Sequence, residues 1–247
     1  MSSIRLKNVS VSFPIFTGTT RSLRQEIFSS LGGTISEHAK TTFVDALHDI
    51  TMDINQGDRL GIIGHNGAGK TTLLRVLSGI YPPSRGGIDI VGDVTTLTDV
   101  SLGMDVEATG WQNIIFRYVM MGKTYREAQD HSAAIAEFSE LGEFLDLPVR
   151  TYSTGMFMRL AFAISTAFTP DILVLDELIG AGDTAFQTKS LARLRSLMDE
   201  SNIIVVSSHN LGIIQEHCNK ALYLKKGSVV AQGPVEDVLT RYHADNA

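Results

Sequence analysis

Hydrophobic positions follow two periods along this chain, and their order indicates the fold class. Apolar and polar residues alternate over residues 4–13 and 47–54, as in strands that bury one face. Apolar runs over residues 58–64, 172–175 and 203–207 predict strands that are buried on both faces. Helical patterns flank these runs, and strands that alternate with helices predict a mainly parallel sheet covered on both faces.

The segments between the strands have helical periodicity. We expect a helix over residues 70–77 and a block of helices over residues 110–168, where apolar positions recur three and four residues apart. Pro14 is expected to end the first strand, and residues 14–45 are interpreted as an inserted helix and loop. Further short strands are predicted at residues 88–91, 94–97, 222–224 and 229–230.

Composition narrows the class of protein. The 247 residues are 43% hydrophobic and 19% charged, which is typical of a globular domain with a sizeable core. A net charge of -6 disfavours nucleic acid as a partner. No uninterrupted run of about 20 apolar residues and no secretory signal pattern is present. The single cysteine, Cys218, fits a reducing compartment and is expected to be a small buried apolar residue.

A glycine-rich segment follows the strand predicted at residues 58–64. Residues 64–71 read GHNGAGKT and fit the pattern G-x-x-x-x-G-K-[ST] between a predicted strand and a predicted helix. Such a loop turns backbone N–H groups and a helix N-terminus toward phosphates, whereas the alternative is an ordinary turn before a helix. We therefore expect ATP to bind at Gly64, His65, Asn66, Gly67, Ala68, Gly69, Lys70, Thr71 and Thr72.

Particular roles follow from the chemistry of these side chains. Lys70 should contact the β- and γ-phosphates, the Thr71 hydroxyl should ligate Mg²⁺, and Thr72 should reach the α-phosphate. A second acidic element, Asp176 and Glu177, ends an apolar strand. Neighbouring residues on a strand point in opposite directions, so Asp176 is expected to hold Mg²⁺ and Glu177 to polarise the attacking water.

For the acidic pair and for His209, the residues alone also allow a second interpretation. An acidic pair after a strand also occurs as a solvated helix cap. His209 follows the strand predicted at residues 203–207, where it is a candidate sensor of the γ-phosphate or an ordinary histidine.

These elements, in this order, resemble the ABC ATPase family over nearly the whole chain. The segment Tyr152-Ser153-Thr154-Gly155-Met156, before a helix predicted at residues 157–168, is similar to the signature motif of that family. In the family, the positions of Ser153 and Gly155 reach the γ-phosphate held by the opposite subunit. Capping of the helix by Ser153 or Thr154 is a second interpretation that is compatible with the first.

The resemblance implies an α/β fold of the P-loop NTPase class, with a RecA-like core, an N-terminal antiparallel β portion and an inserted helical subdomain. We expect one ABC ATPase domain over residues 1–247. Residues 1–105 and 169–247 would form the core with its β portion, residues 106–168 the helical subdomain, and residues 14–45 an insertion of the family type.

Departures from the usual motifs point to a subfamily. Tyr152, Thr154 and Met156 replace the usual leucine, glycine and glutamine of the signature, as in members that export lipid-linked polysaccharides. Residues 180–183, which read GAGD, resemble the D-loop of that subfamily with Asp183 at the position that crosses the dimer. Asp99 stands where the Q-loop glutamine that contacts Mg²⁺ is expected, and Phe13 aligns with the aromatic residue that stacks on adenine.

The segments FPI (residues 13–15), RSL (21–23) and LG (31–32) are similar to those of O-antigen exporter ATPases without a C-terminal carbohydrate-binding domain. This resemblance implies an ATP-hydrolysing subunit that uses ATP and Mg²⁺. It would pair with a second copy of itself, bind transmembrane permease subunits at the cytoplasmic face of the inner membrane, and act indirectly on a lipid-linked polysaccharide. Alternatives are export of teichoic acid or capsule, a soluble ABC ATPase that acts as a clamp, and a small-molecule kinase.

Overall fold

A computed structural model describes residues 1–15, 42–98, 100–176 and 184–246 of the chain. The nine strands of this part are β1 (Ser3–Ile15), β2 (Thr42–Asn55), β3 (Arg59–Ile63), β4 (Arg85–Val91), β5 (Val94–Thr96), β6 (Ile172–Asp176), β7 (Ile203–Ser207), β8 (Lys220–Lys225) and β9 (Ser228–Pro234). Its α-helices are α1 (Lys70–Leu77), α2 (Gly110–Met120), α3 (Tyr125–Ser139), α4 (Thr154–Ser165), α5 (Thr184–Glu200), α6 (Leu211–His217) and α7 (Val235–Asn246), with short 3₁₀ turns at Gly142–Asp146 and Val149–Thr151.

The described strands form two sheets. A six-stranded sheet has the order β5-β6-β7-β3-β8-β9 and is parallel except for β9, which runs antiparallel to β8. A three-stranded antiparallel sheet has the order β2-β1-β4. The expectations of a mainly parallel sheet and of an N-terminal antiparallel portion are both confirmed.

Alternate residues of the parallel strands enter two different cores. On one face, Leu60 and Ile62 of β3 pack with α1 and with the buried side of the antiparallel sheet. On the other face, Ile63 packs in a cluster that includes residues of α5, α6 and α7. Because both faces are covered, the strands are apolar at nearly every position, which explains the continuous runs in the sequence.

The first strand extends beyond the boundary expected from its proline. Strand β1 continues through Pro14 to Ile15, and Pro14 lies opposite Phe43 of β2. Its pairing with β4 ends at Ser10, so in the described residues β1 has only one neighbouring strand at Pro14. A residue without an N–H group is tolerated at such an edge. Residues 14–15 and 42–45 therefore belong to strands, and the rest of the predicted insertion lies outside the described residues.

Helices α2, α3 and α4 share a core of their own, which includes Ile114, Ile135 and Leu160. Capping boxes begin α2 at Thr109 and α3 at Thr124. These three helices lie within the block expected to be helical, and the division of the chain into subdomains stays a prediction.

Helix α4 begins earlier and ends earlier than expected. It spans Thr154–Ser165 rather than residues 157–168, because the Ser153 hydroxyl accepts a hydrogen bond from the Met156 N–H at 3.2 Å and caps the helix there. The predicted cap at Ser153 already allowed this start, but the low helix propensity of Thr154 and Gly155 favoured the later one.

Two further sequence interpretations concern the single cysteine and membrane-spanning helices. Burial raises the pKa of the Cys218 thiol to about 12, so the side chain stays protonated and behaves as a small apolar group. In the part of the chain that the structure describes, no helix combines the length and the apolar composition needed to cross a membrane.

The packing of α5 gives a prediction for stability. Leu197 is fully buried in the second core, whereas Leu191 on the same helix is 38% exposed. Leu197→Ala should lower the free energy of unfolding by about 2–5 kcal/mol. Leu191→Ala, the matched control, should change it by about 0.5 kcal/mol or less. Urea denaturation followed by circular dichroism measures both, and equal losses would contradict the burial of Leu197 in this core.

Candidate functional site

The glycine-rich loop joins the central strand β3 to helix α1. Strand β3 lies between β7 and β8, so the loop leaves the sheet at the carboxyl edge of its parallel strands. Helix α1 begins at Lys70, where the sequence predicted it. Ligands of open α/β sheets bind at this edge.

Two glycines allow the loop to pass close to neighbouring strands. Gly64 has φ 151°, and a Cβ there would overlap the carbonyl oxygen of Leu224 in β8. Gly69 has φ 104°, and a Cβ there would lie 2.8 Å from the carbonyl oxygen of Ala46 in β2. Side chains at either position would collide with backbone that cannot move away, so both ends of the loop require glycine.

The turn between β8 and β9 holds the middle of the loop. The Gly227 N–H donates to the Ala68 carbonyl at 2.8 Å, and the His48 N–H of β2 donates to the Gly227 carbonyl at 2.8 Å. The loop is therefore connected through Gly227 to the antiparallel sheet.

The Lys70 side chain lies along the inside of the loop. Its residue is 8% exposed, and its ammonium donates hydrogen bonds to the carbonyls of Gly64 at 2.7 Å and His65 at 3.1 Å. This places a positive charge on the inner side of the loop, beside two of its carbonyls, where an anionic ligand would meet it.

A hydroxyl and a carboxylate meet beside the loop. Asp176 ends strand β6, and its Oδ2 accepts a hydrogen bond from the Thr71 hydroxyl at 3.0 Å. Magnesium in phosphate-binding sites takes such hard oxygen ligands from one or two side chains, together with phosphate oxygens and water. The pair Thr71 and Asp176 therefore fits a site for Mg²⁺ shared with a bound phosphate.

His209 reaches the same edge of the sheet from strand β7. Ser207, the last residue of β7, lies opposite Asp176 of β6 and Ile62 of β3. The pairing of these strands brings the residues that follow them to one place. Loop, carboxylate and histidine surround one cavity of about 800 Å³, which is lined by Val44, Asp45, Ala46, His48, Asn66, Gly67, Ala68, Gly69, Lys70, Thr71, Thr72, Thr98, Asp176, His209, Lys226 and Gly227.

Several residues predicted for the site lie away from this cavity. Phe13 is not one of its lining residues, because its ring packs edge-on against Tyr81 with ring centroids 5.5 Å apart. His65 turns outward, where its Nε2 lies 2.6 Å from Oδ1 of Asn246 in α7. Stacking of Phe13 on adenine stays a sequence prediction.

The signature residues are at the surface of the chain. Ser153 is exposed and Gly155 is half-buried at the start of α4, and neither lines the cavity. The cap formed by Ser153 agrees with the second interpretation of this segment and leaves the first one open. Three other predicted site residues, Asp99, Glu177 and Asp183, lie outside the described part of the chain.

Two walls of the cavity were not predicted from the sequence. One is the segment of β2 around Ala46 and His48, and the other is the turn with Lys226 and Gly227. The turn carried a usable signal, because a basic residue before a glycine between two short strands combines positive charge with a left-handed turn. Alternating residues of β2 carried none.

Comparison with known proteins identifies relatives over nearly the whole chain. The family model described as "ABC transporter" matches residues 47–180. The chain is 44% identical to the O-antigen export system ATP-binding protein RfbE of Yersinia enterocolitica over 93% of the chain and 97% of that protein. It is 38% identical to the O-antigen export system ATP-binding protein RfbB of Myxococcus xanthus, over 98% of the chain and 56% of that protein.

Solved structures share the fold at low sequence identity. The dimeric post-hydrolysis structure of the ATP-binding cassette MJ0796 bound to ADP and Pi has a TM-score of 0.66 at 18% identity, over 94% of this chain and 98% of that one. The structure of an ATP binding subunit of an ABC transporter has a TM-score of 0.68 at 19% identity, over 99% and 95% of the two chains.

The close approach at Gly64 gives a prediction for binding. Gly64→Ala should weaken the binding of a fluorescent ATP analogue roughly tenfold or more, because the methyl group must displace the loop from Leu224. Gly57→Ala is the matched control, since Gly57 also has a positive φ but its Cβ would meet nothing within 4 Å. Fluorescence titration of the two purified variants measures the difference, and equal affinities would show that the contact with Leu224 is unimportant.

Proposed function

Since this chain belongs to the ABC transporter family, we propose that it is the ATP-hydrolysing subunit of an exporter that moves lipid-linked polysaccharide, specifically O-antigen, across the inner membrane. The observation that carries the ATPase part is that the phosphate loop, Asp176 and His209 line one cavity together. The names of the two O-antigen export relatives support the substrate class.

The phosphates of ATP are proposed to bind along the loop. The Lys70 ammonium would exchange part of its bonding to carbonyls for the β- and γ-phosphate oxygens, and Thr72 would contact the α-phosphate. The base and ribose would lie toward the wall formed by β2, where Val44, Ala46 and His48 line the cavity.

Thr71 and Asp176 are the residues proposed to hold Mg²⁺. When bound, the ion would neutralise phosphate charge as it builds up during transfer. The proposed contact of Asp99 with the same ion rests on its sequence position alone.

Glu177 and His209 are proposed to act on the attacking water and on the γ-phosphate. Glu177 directly follows Asp176, so the end of one strand would supply both a ligand for the ion and a base that orients water. His209 lines the cavity at the end of the neighbouring strand and would donate a hydrogen bond to the γ-phosphate.

A second copy of the chain is proposed to complete each site. Ser153 and Gly155 are outside their own cavity, at the N-terminus of a 12-residue helix whose N–H groups favour an anion. In a head-to-tail pair, this helix start would face the γ-phosphate bound to the partner, and Asp183 would lie at the same junction. Loss of the γ-phosphate would then release the two copies.

Blocking ATP hydrolysis should make the dimer of two copies stable enough to observe. Glu177→Gln with ATP and Mg²⁺ should shift from monomer to dimer in light scattering, because the γ-phosphate stays in place. Ser153→Arg in the same background should abolish the dimer and keep nucleotide binding to the monomer, since Ser153 would touch only the partner's nucleotide. A Glu177→Gln protein that stays monomeric even beside its membrane partner contradicts the proposal.

The membrane subunits are proposed to dock on an apolar patch where the segment after β5 meets helix α2. The patch consists of Leu102, Phe116 and Met120, all exposed, and Met120 packs beside Gly103. Met120 is 73% exposed, although water is an unfavourable environment for its side chain. Residues 97–109 connect β5 to helix α2. A cytosolic helix of a permease that docks there would respond when the two copies of this chain close on ATP.

Docking and export can be tested with one variant. The Met120→Asp subunit should no longer co-purify with the permease of the proposed exporter, and cells that carry it should lose O-antigen from their surface. The isolated variant should keep its ATPase activity. Leu147→Asp is the control, because Leu147 is also exposed but is not part of the patch and lies between the two 3₁₀ turns. Normal export by Met120→Asp would refute docking at this patch. Loss of capsule or teichoic acid in place of O-antigen would refute the substrate class.

A further inference from the structure

Helix α3 ends in a residue with an unusual backbone conformation. Glu140 has φ 58° and ψ 30°, the left-handed region in which glycine is usually found at a helix end. A side chain with a Cβ is strained there, and glutamate is not one of the residue types that commonly accept this conformation. A strained residue persists where surrounding contacts hold it.

The surrounding contacts come from two other helices. Oε2 of Glu140 lies 3.4 Å from Nη1 of Arg159 in α4, and Oε1 lies 2.7 Å from Nζ of Lys189 in α5. One carboxylate therefore binds a cation of each helix through a different oxygen. The Lys189 ammonium also donates to the Phe138 carbonyl at 3.0 Å, which fixes it against the end of α3.

Aromatic rings fill the junction beneath these charges. Phe138, Phe162 and Phe186 come from α3, α4 and α5, and their ring centroids are 5.7 to 6.3 Å apart. Lys189 lies 4.7 Å above the ring of Phe138, and Arg159 lies 5.1 Å above that of Phe186. The cations thus couple the Glu140 carboxylate to the packing of the rings.

The helices joined at this junction carry two parts of the proposed site. Helix α4 begins directly after Ser153, and α5 begins directly after Asp183. We infer that Glu140 is a positioning residue that keeps the starts of α4 and α5 in a fixed relation, so that both meet the nucleotide of the partner subunit together. The inference rests on the proposed pairing of two copies through Ser153.

If Glu140 had only a structural role, a different residue type would be favoured at this position. If Glu140 only ended a helix, glycine would serve better, because it adopts the left-handed conformation without strain. Glu140→Gly therefore removes the carboxylate and relieves the backbone in one change. Folding and positioning are separated by this variant.

The experiment uses full-length Glu177→Gln protein as the reference, with light scattering at increasing ATP in the presence of Mg²⁺. Adding Glu140→Gly should raise the ATP concentration for half-maximal dimer formation roughly threefold to tenfold, since two partly exposed ion pairs are lost. The melting temperature should be unchanged or higher, and binding of a fluorescent ATP analogue at protein concentrations that keep the chain monomeric should be unchanged. Glu140→Asp, which keeps a carboxylate in a residue that tolerates this conformation, should restore much of the dimer formation.

Asp199→Asn is the matched control for loss of a carboxylate on α5. Asp199 pairs at 3.9 Å with Arg59 of β3, far along the helix from its start. With Asp199→Asn added, dimer formation should be half-maximal at the same ATP concentration as in the reference. The inference is overturned if Glu140→Gly dimerises at the same ATP concentration as the reference, if Asp199→Asn is equally impaired, or if Glu140→Gly weakens binding to the monomer. Failure of the reference itself to dimerise would refute the proposed pairing instead.

Discussion

The geometry of this protein depends on a phosphate loop that is held between two different sheets. Gly64 passes against the backbone of β8 in the six-stranded sheet, and Gly69 passes against the backbone of β2 in the antiparallel sheet. Gly227 links the same two sheets to Ala68 through hydrogen bonds. Buried backbone contacts of this kind are rigid, so the N–H groups of the loop keep their direction before any ligand arrives.

This constraint explains why so much of the site was readable in the sequence. A buried parallel strand must be apolar, and a close backbone approach must be glycine, so β3, its loop and α1 each left a local pattern. Helix α1 was predicted at Lys70–Leu77 and strand β7 at Ile203–Ser207, which are the observed bounds. The parallel order of β3, β6 and β7 then brought Asp176 and His209 to the loop, as expected for residues at the ends of neighbouring strands.

Features that depend on distant parts of the chain were not readable in this way. The strand continues through Pro14 because the pairing of β4 with β1 ends at Ser10, which is a property of the sheet and not of the proline. The contribution of Ala46 and His48 to the cavity depends on how two sheets meet. The junction joins Glu140 to Arg159 and Lys189, which lie 19 and 49 positions further along the chain, and no periodicity links them.

The environment of Cys218 has a practical consequence. It is the single cysteine of the chain, and burial against Gly61 and the parallel sheet keeps its thiol protonated at neutral pH, with a pKa of about 12. Maleimides react with the thiolate, so the native thiol would react with them only slowly. A cysteine engineered into the exposed start of α4 would then carry a fluorophore at one defined position without any need to alter the wild-type background.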